Sequence, residues 1–266
     1  MAESTDTRKE RRATARAEAA RAAEAARSKQ RQRLWVLGGA LLLVAAVVAV
    51  IAIASGGDDT PERRAGESVP GQIDTNARYA GIPQRGIVLG DPRAPLTLVE
   101  FADLQCPFCA QYSTGTLPAL VDKYVRDGQL RMEFRNLAFI GTDSVRGAQM
   151  AGAASLQNKL WQYVDLFYVN QGPENGGYVT DEFLTRIGGA VRGLDVERAM
   201  NDRGTASVQR QLNEAQIEWQ SGGFTGTPSF LLGPTGGRME AVLNEQESPT
   251  VGLMSERIDA ALARLR

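Results

Sequence analysis

Histidine is absent from this 266-residue chain, and cysteine occurs only twice. Without an imidazole, Ser-His-Asp and Cys-His hydrolysis and histidine ligation of a metal are excluded. Two thiols cannot build a four-thiolate zinc site or an iron–sulfur cluster. Nor is there an excess of charge: 30 Lys+Arg stand against 31 Asp+Glu, and aromatic residues make up 6%. The chain as a whole therefore carries no signature of nucleic-acid binding. The hydrophobic content of 43% is ordinary and is enough for one or two globular domains.

The charge is unevenly placed. Residues 1–33 hold ten basic residues against five acidic ones, a +5 segment rich in Ala, Arg and Glu with no apolar face large enough to pack. It reads as a solvated, partly helical arm whose charges can also meet anionic lipid headgroups. Residues 34–54 then run without a charge or a proline. At about 1.5 Å per residue, a helix of that length spans roughly 30 Å, the hydrocarbon thickness of a bilayer. Trp35 sits at one end, at headgroup level, and the arginine excess precedes the run. One N-terminal transmembrane helix is therefore expected, single-pass in the cell membrane, with the arm cytoplasmic and everything after Ser55 extracytoplasmic. The alternative, a cleaved signal peptide ending near Ala52-Ile53-Ala54, requires a shorter apolar run than this one. Residues 55–85, with Gly56, Gly57, Pro61, Gly66, Pro70, Gly71, Gly81 and Pro83, read as a linker.

A folded domain is expected over 86–266. Leu96–Phe101 (LTLVEF) has the length and apolarity of a buried strand, and Leu130–Phe134 alternates as a second. Between them a helix should start at Pro107, bend at Pro118 and end before Gly128. Helical periodicity fills an insertion at about 142–222, with Thr180 placed to cap one of its helices and Val208, Leu212, Ala215 and Trp219 on one face of another. Strands follow at Ser229–Leu232 and Arg238–Leu243, and a last helix carries Met254, Ile258 and Leu262. This order gives an α/β fold, a small sheet interrupted by helices.

The two cysteines form Cys106-Pro107-Phe108-Cys109 at a strand-to-helix junction. Pro107 suits the first helical turn, where its missing N–H has no intrahelical partner to lose. The Cys106 sulfur then sits at a helix N-terminus, where free N–H groups and the dipole stabilise a thiolate, the nucleophile of disulfide exchange. Cys109, one turn on, can resolve a mixed disulfide within the chain. Two other readings compete: a structural bridge, which would close too small a loop to constrain the unfolded chain much, and a metal site, for which no third Cys or His exists. No metal is expected, and no cofactor beyond a redox-active Cys106–Cys109 disulfide.

Leu89-Gly90-Asp91-Pro92, Val99-Glu100-Phe101-Ala102-Asp103 leading into the CPFC motif, Leu166-Phe167-Tyr168-Val169-Asn170-Gln171, and Phe224-Thr225-Gly226-Thr227-Pro228-Ser229-Phe230 together resemble the DsbA-like branch of the thioredoxin superfamily. The resemblance covers about 86–266 and implies a thioredoxin-like fold with a helical insertion. It further implies that Cys106 is the exposed nucleophile and Cys109 the more buried resolving thiol. Pro228 would be cis and packed against the dithiol, with the Thr227 backbone pairing an extended substrate segment. Glu100, six residues before Cys106, matches a buried acid that assists proton transfer at the resolving cysteine; a solvent-facing strand position is the other reading of that residue. Phe108 stands where such proteins often carry histidine, and Asn136-Leu137-Ala138 where a proline is common. Phenylalanine offers the thiolate neither charge nor hydrogen bond, which predicts a milder oxidant than the histidine variant.

The expected function is thus a membrane-tethered, extracytoplasmic thiol–disulfide oxidoreductase that introduces disulfides into exported proteins. Its partners would be thiol-bearing exported clients, a membrane redox protein that reoxidises the dithiol, and membrane lipid, with no nucleic acid. A reductase or isomerase using the same residues, or a non-catalytic binding or chaperone module of the same fold, are the alternatives.

Overall fold

A computed structural model describes residues 68–244 and 246–265. The basic arm, the expected transmembrane segment 34–54 and the first part of the expected linker lie outside the described residues. Among the described residues, no helix is long and apolar enough to cross a membrane.

The described strands form one six-stranded sheet in the order β1-β2-β4-β3-β5-β6. β1 (Gln84–Arg85) and β2 (Val88–Leu89) are short, β3 (Leu96–Asp103) and β4 (Leu130–Leu137) are long, and β5 (Ser229–Pro234) and β6 (Glu240–Ala241) close the far edge. β3 and β4 run parallel, while β5 lies antiparallel to β3. The parallel pair requires a crossover, and the helices after the CPFC motif supply it. β3 is buried at every position because it is central and covered on both faces. On one face Leu96, Leu98 and Ala102 join the main core; on the other, Val99 and Phe101 pack with Leu137 and Ala215. The expected strand at Arg238–Leu243 shrinks to the two residues of β6.

The domain begins earlier than the sequence pattern suggests, which corrects the linker assignment for its second half. A short helix, α1 (Gln72–Arg78), follows Ser68, and Val69, Tyr79 and Ile82 are all part of the core. Thr75 Oγ1 donates to Asp165 at 2.7 Å, Arg78 pairs with the same carboxylate, and Asn76 Nδ2 donates to the Ala190 carbonyl at 2.9 Å. Seven residues cannot display a repeating apolar stripe, and the anchors stand singly among glycines and charges, so periodicity carried no trace of them.

After β3 come α2 (Pro107–Gly115) and α3 (Leu117–Leu120), then a π-helical turn over Val121–Val125. The break falls at Thr116, just ahead of Pro118, whose ring crowds the preceding turn. Gly90 holds φ +105°, and a Cβ there would lie 3.0 Å from the Leu130 carbonyl oxygen, so this turn into β3 admits only glycine. The insertion between β4 and β5 contains α4 (Gly141–Ser155), α5 (Leu160–Val169), α6 (Asp181–Ala190), α7 (Val196–Asp202) and α8 (Ala206–Ser221). Thr180 caps α6 by accepting from Phe183 N. α5 is buried along almost its whole length, and Ala215 and Trp219 of α8 pack against the Val99/Phe101 face of the sheet. The last helix, α9 (Val251–Ala263), buries Met254 and Ile258.

Candidate active site

Cys106 is the residue that starts α2. Its N–H donates to the Asp103 carbonyl at 3.0 Å, closing the turn out of β3, and its Sγ accepts from Cys109 N at 3.4 Å in the position of a helix cap. Pro107 is the first helical residue. Both cysteines are free thiols in this structure. Cys109 is fully enclosed, and Cys106 is only 4% exposed. That corrects the expectation of an exposed nucleophile: a segment far along the chain covers the sulfur. The Cys106 thiol donates to the Thr227 carbonyl at 3.3 Å, and the Thr227–Pro228 peptide is cis.

The electrostatics of the two thiols diverge. The Cys106 thiol is lowered from about 9 to about 6, first by the hydrogen bond from the Cys109 thiol, with burial opposing, and then by the Thr227 hydroxyl and the backbone N–H groups of Cys109 and Phe108. Cys109 is pushed well above the ordinary thiol range, chiefly by burial. One sulfur is thus poised as thiolate and leaving group, while the other holds its proton.

Glu100 lies on β3, six residues before Cys106. In the register of the sheet it stands between Phe134 of β4 and Phe230 of β5, and by strand alternation it faces the same side as α2. It is 1% exposed and its Oε1 has no hydrogen-bond partner. Removal from water raises its carboxyl to about 8, with the nearby Cys106 contributing second. The solvent-facing alternative is therefore ruled out by position.

Phe108 points outward, 66% exposed, at one end of a cavity of about 670 Å³ that Phe224, Thr227, Pro228, Leu243 and Pro249 also line. Its side chain offers no polar group. Asn136 uses its side chain internally, donating to the Ala148 carbonyl at 2.8 Å. Among the described residues no cluster of three or more His, Cys, Asp or Glu could hold a metal.

The residues that hold the CPFC turn in place went unread in the sequence. Asp103 Oδ1 accepts from Gln105 N at 2.9 Å and from the Ser144 hydroxyl; its Oδ2 accepts from Phe139 N at 2.9 Å and Ile140 N at 3.1 Å. One buried carboxylate therefore ties the end of β3 to the start of the insertion. From the other side, Tyr168 Oη donates to the Asp103 carbonyl at 3.1 Å. Gln171 Nε2 donates to the carbonyls of Leu104 at 2.8 Å and Cys106 at 3.2 Å. Asp103, Tyr168 and Gln171 all stand in the segments that carry the family resemblance, but only the fold shows what they touch.

Residues 83–239 match the family model described as Thioredoxin. Over 147 residues the chain is 31% identical to a Bacillus cereus protein named "Probable disulfide bond formation protein D", across 54% of this chain and 68% of that one. Its structure is similar to that of oxidised BdbD from Bacillus subtilis, with TM-score 0.59 and 19% identity, covering 68% of this chain and 97% of that chain. It is also similar to a thioredoxin-like oxidoreductase from Silicibacter pomeroyi, with TM-score 0.52 and 25% identity, covering 73% and 98%.

Proposed function

The chain belongs to the thioredoxin family and is a thiol:disulfide oxidoreductase, and from that premise we propose that Cys106 and Cys109 form its redox centre and drive disulfides into exported proteins. The observation that carries the reading is the placement of the two thiols, with Cys106 Sγ capping the start of α2 and accepting from Cys109 N while Cys109 is fully enclosed, an arrangement that stabilises the Cys106 thiolate. Stabilising the thiolate favours the reduced enzyme, which makes its disulfide an oxidant.

In the oxidised enzyme a client thiolate attacks Cys106 Sγ. The client–Cys106 bond forms, the Cys106–Cys109 bond breaks, and the electron pair leaves on Cys109, which takes up a proton. A second client thiolate then attacks the client sulfur of the mixed disulfide, and Cys106 departs as a thiolate, a good leaving group at its lowered pKa. The client keeps the disulfide and the enzyme keeps two electrons. Glu100, beneath the pair, is the group that supplies and recovers the proton. The Thr227 backbone beside Cys106 is the edge along which an extended client segment lies, and the cavity behind Phe108 takes its side chains. Residues 34–54 tether the domain outside the membrane, and a membrane redox protein removes the two electrons to restore the disulfide.

The test is oxidative folding of reduced hirudin by the full-length protein. Wild type accelerates it, Cys106→Ser abolishes the effect, and Cys109→Ser accumulates client mixed disulfides in cells. Wild-type behaviour of Cys106→Ser overturns the assignment.

A further inference from the structure

An open cavity of about 440 Å³ lies where α1, β1, the turn between α4 and α5, and the loop after α6 come together. It shares no lining residue with the cavity beside Phe108. Part of its wall is fixed by side chains whose hydrogen bonds are already made. Asn76 donates to the carbonyls of Gln72 at 2.7 Å and Ala190 at 2.9 Å, and it accepts from Arg192 N at 2.9 Å. Gln157 donates to the Asp195 carbonyl and accepts from Asp195 N, both at 2.9 Å. Asn158 Oδ1 accepts from Gly86 N at 2.8 Å.

Other groups in the same cavity are left over. Lys159 and Arg192 both line it, no Asp or Glu does, and among the described residues neither cation has an ion-pair partner. The two are neighbours, since a Cβ at Gly193, the residue after Arg192, would lie 3.3 Å from Lys159 Nζ. Like charges held together repel, and an anion between them turns that repulsion into attraction. Gln162 is only 8% exposed, yet its Oε1 has no hydrogen-bond partner, and Gln84 Oε1 is likewise buried and unpartnered. A buried amide left unmatched is costly. Whichever way it turns, it offers both a donor and an acceptor, and a hydroxyl group answers either.

We propose that this cavity binds a small phosphorylated polyol, with the phosphate between Lys159 and Arg192 and the hydroxyls on the amides of Gln84 and Gln162. Two cations match the charge of a phosphate monoester near neutral pH, about −1.5 to −2. Arginine grips two of its oxygens at once, and lysine adds a point charge. Inorganic phosphate would satisfy the cations but leave the amides unmatched, so the polyol is what distinguishes the ligand. The volume falls among those of small-molecule sites, about 300–1,000 Å³. The site is separate from the dithiol and does not depend on the roles of Cys106 and Cys109.

The test uses the full-length protein in detergent, with glucose phosphate, glycerol phosphate and inorganic phosphate as probes. Apart from Lys9 and Lys29, the lysines of the chain are Lys123 and Lys159, so acetylation read by mass spectrometry reports on the site directly. A phosphorylated polyol should protect Lys159 and leave Lys123, which pairs with Asp259 on α9, at its free rate. In calorimetric titration one of the two esters should bind about tenfold or more tighter than inorganic phosphate. Arg192→Gln should weaken ester and inorganic phosphate alike, by about tenfold or more. Gln162→Met should erase the preference for the ester and leave the affinity for inorganic phosphate unchanged. Removing an unpartnered buried amide leaves Tm unchanged or raised, so that loss cannot be blamed on unfolding. The proposal is overturned if neither ester protects Lys159, or if Lys123 is protected equally. It is also overturned if the esters bind no tighter than inorganic phosphate, or if Gln162→Met keeps the preference.

Discussion

The Thr227 carbonyl oxygen lies 3.3 Å from Cys106 Sγ although 121 positions separate the two residues. The contact joins the start of α2 to the approach to β5, and the antiparallel pairing of β5 with β3 makes it possible. A strand entering beside Cys106 can cover its sulfur only from that edge of the sheet. The same contact turns an exposed cap position into a shielded one.

The first prediction concerns the thiolate. Ultraviolet titration of the reduced protein should show one thiolate forming near pH 6, absent in Cys106→Ser and retained in Cys109→Ala at a higher midpoint, because the Cys109 thiol is the main stabiliser. Phe108→His should lower the midpoint further by adding a charge beside the sulfur, and raise the reduction potential by about 30 mV for each unit of pKa lost. The side chain at 108 is 66% exposed, so the replacement strains nothing. An unchanged potential in Phe108→His would show that this position does not tune the dithiol.

Glu100 makes the stability of the reduced protein, with both thiols free, depend on pH. Its carboxyl is raised from about 4.5 to about 8, first by burial, so the folded state binds more protons than the unfolded state between those values. The stabilisation is full below about pH 4.5 and is lost as pH rises through 8, by up to about 1.4 kcal/mol per pH unit from this group. Denaturant unfolding of Glu100→Gln should lack that decline and show a more stable protein than wild type at pH 8. A wild-type slope in the variant would mean that Glu100 ionises freely in the fold.

Much of this site was legible in the sequence because it is local. A strand of apolar residues, a proline in the first helical turn and two cysteines one turn apart place the dithiol without any knowledge of the rest of the chain. The helix faces built on Val208 and Ala215, or on Met254 and Ile258, were legible for the same reason, since their spacing repeats. What sequence could not show depends on sheet order. Only the placement of β3 between β4 and β5 decides that Glu100 faces inward between two phenylalanines. Tyr79 and Ile82 were invisible because single anchors in a glycine-rich stretch have no period.

Asp103 offers a third prediction. Four donors converge on its two oxygens, from Gln105, Ser144, Phe139 and Ile140. Asn presents one acceptor oxygen and one NH2 group, so whichever way the amide turns, donors face a donor. Asp103→Asn should lower stability by about 2–4 kcal/mol, read as a shift in denaturant midpoint at constant m-value. It should also loosen the turn before Cys106 and raise the thiolate midpoint. A loss of stability with an unmoved midpoint would separate the scaffold from the dithiol.

The last prediction tests the boundary of the domain. A chain beginning at residue 86 omits Val69, Tyr79 and Ile82 from the core and removes Arg78 and Thr75 from Asp165, whose side chain is completely buried. Each lost apolar side chain costs about 1.5–3 kcal/mol, and a buried carboxylate stripped of its cation about 3–5 kcal/mol. Together these reach the whole stability of an ordinary domain, about 5–15 kcal/mol. The shortened chain should therefore be recovered unfolded or aggregated, whereas a chain beginning at residue 68 should unfold cooperatively. Within the longer chain, Arg78→Met should be markedly less stable than wild type, and Asp165→Asn in the same background should restore part of the loss by removing the unpaired charge. If Arg78→Met alone unfolds at the wild-type denaturant midpoint, α1 is an appendage and the boundary belongs near residue 86.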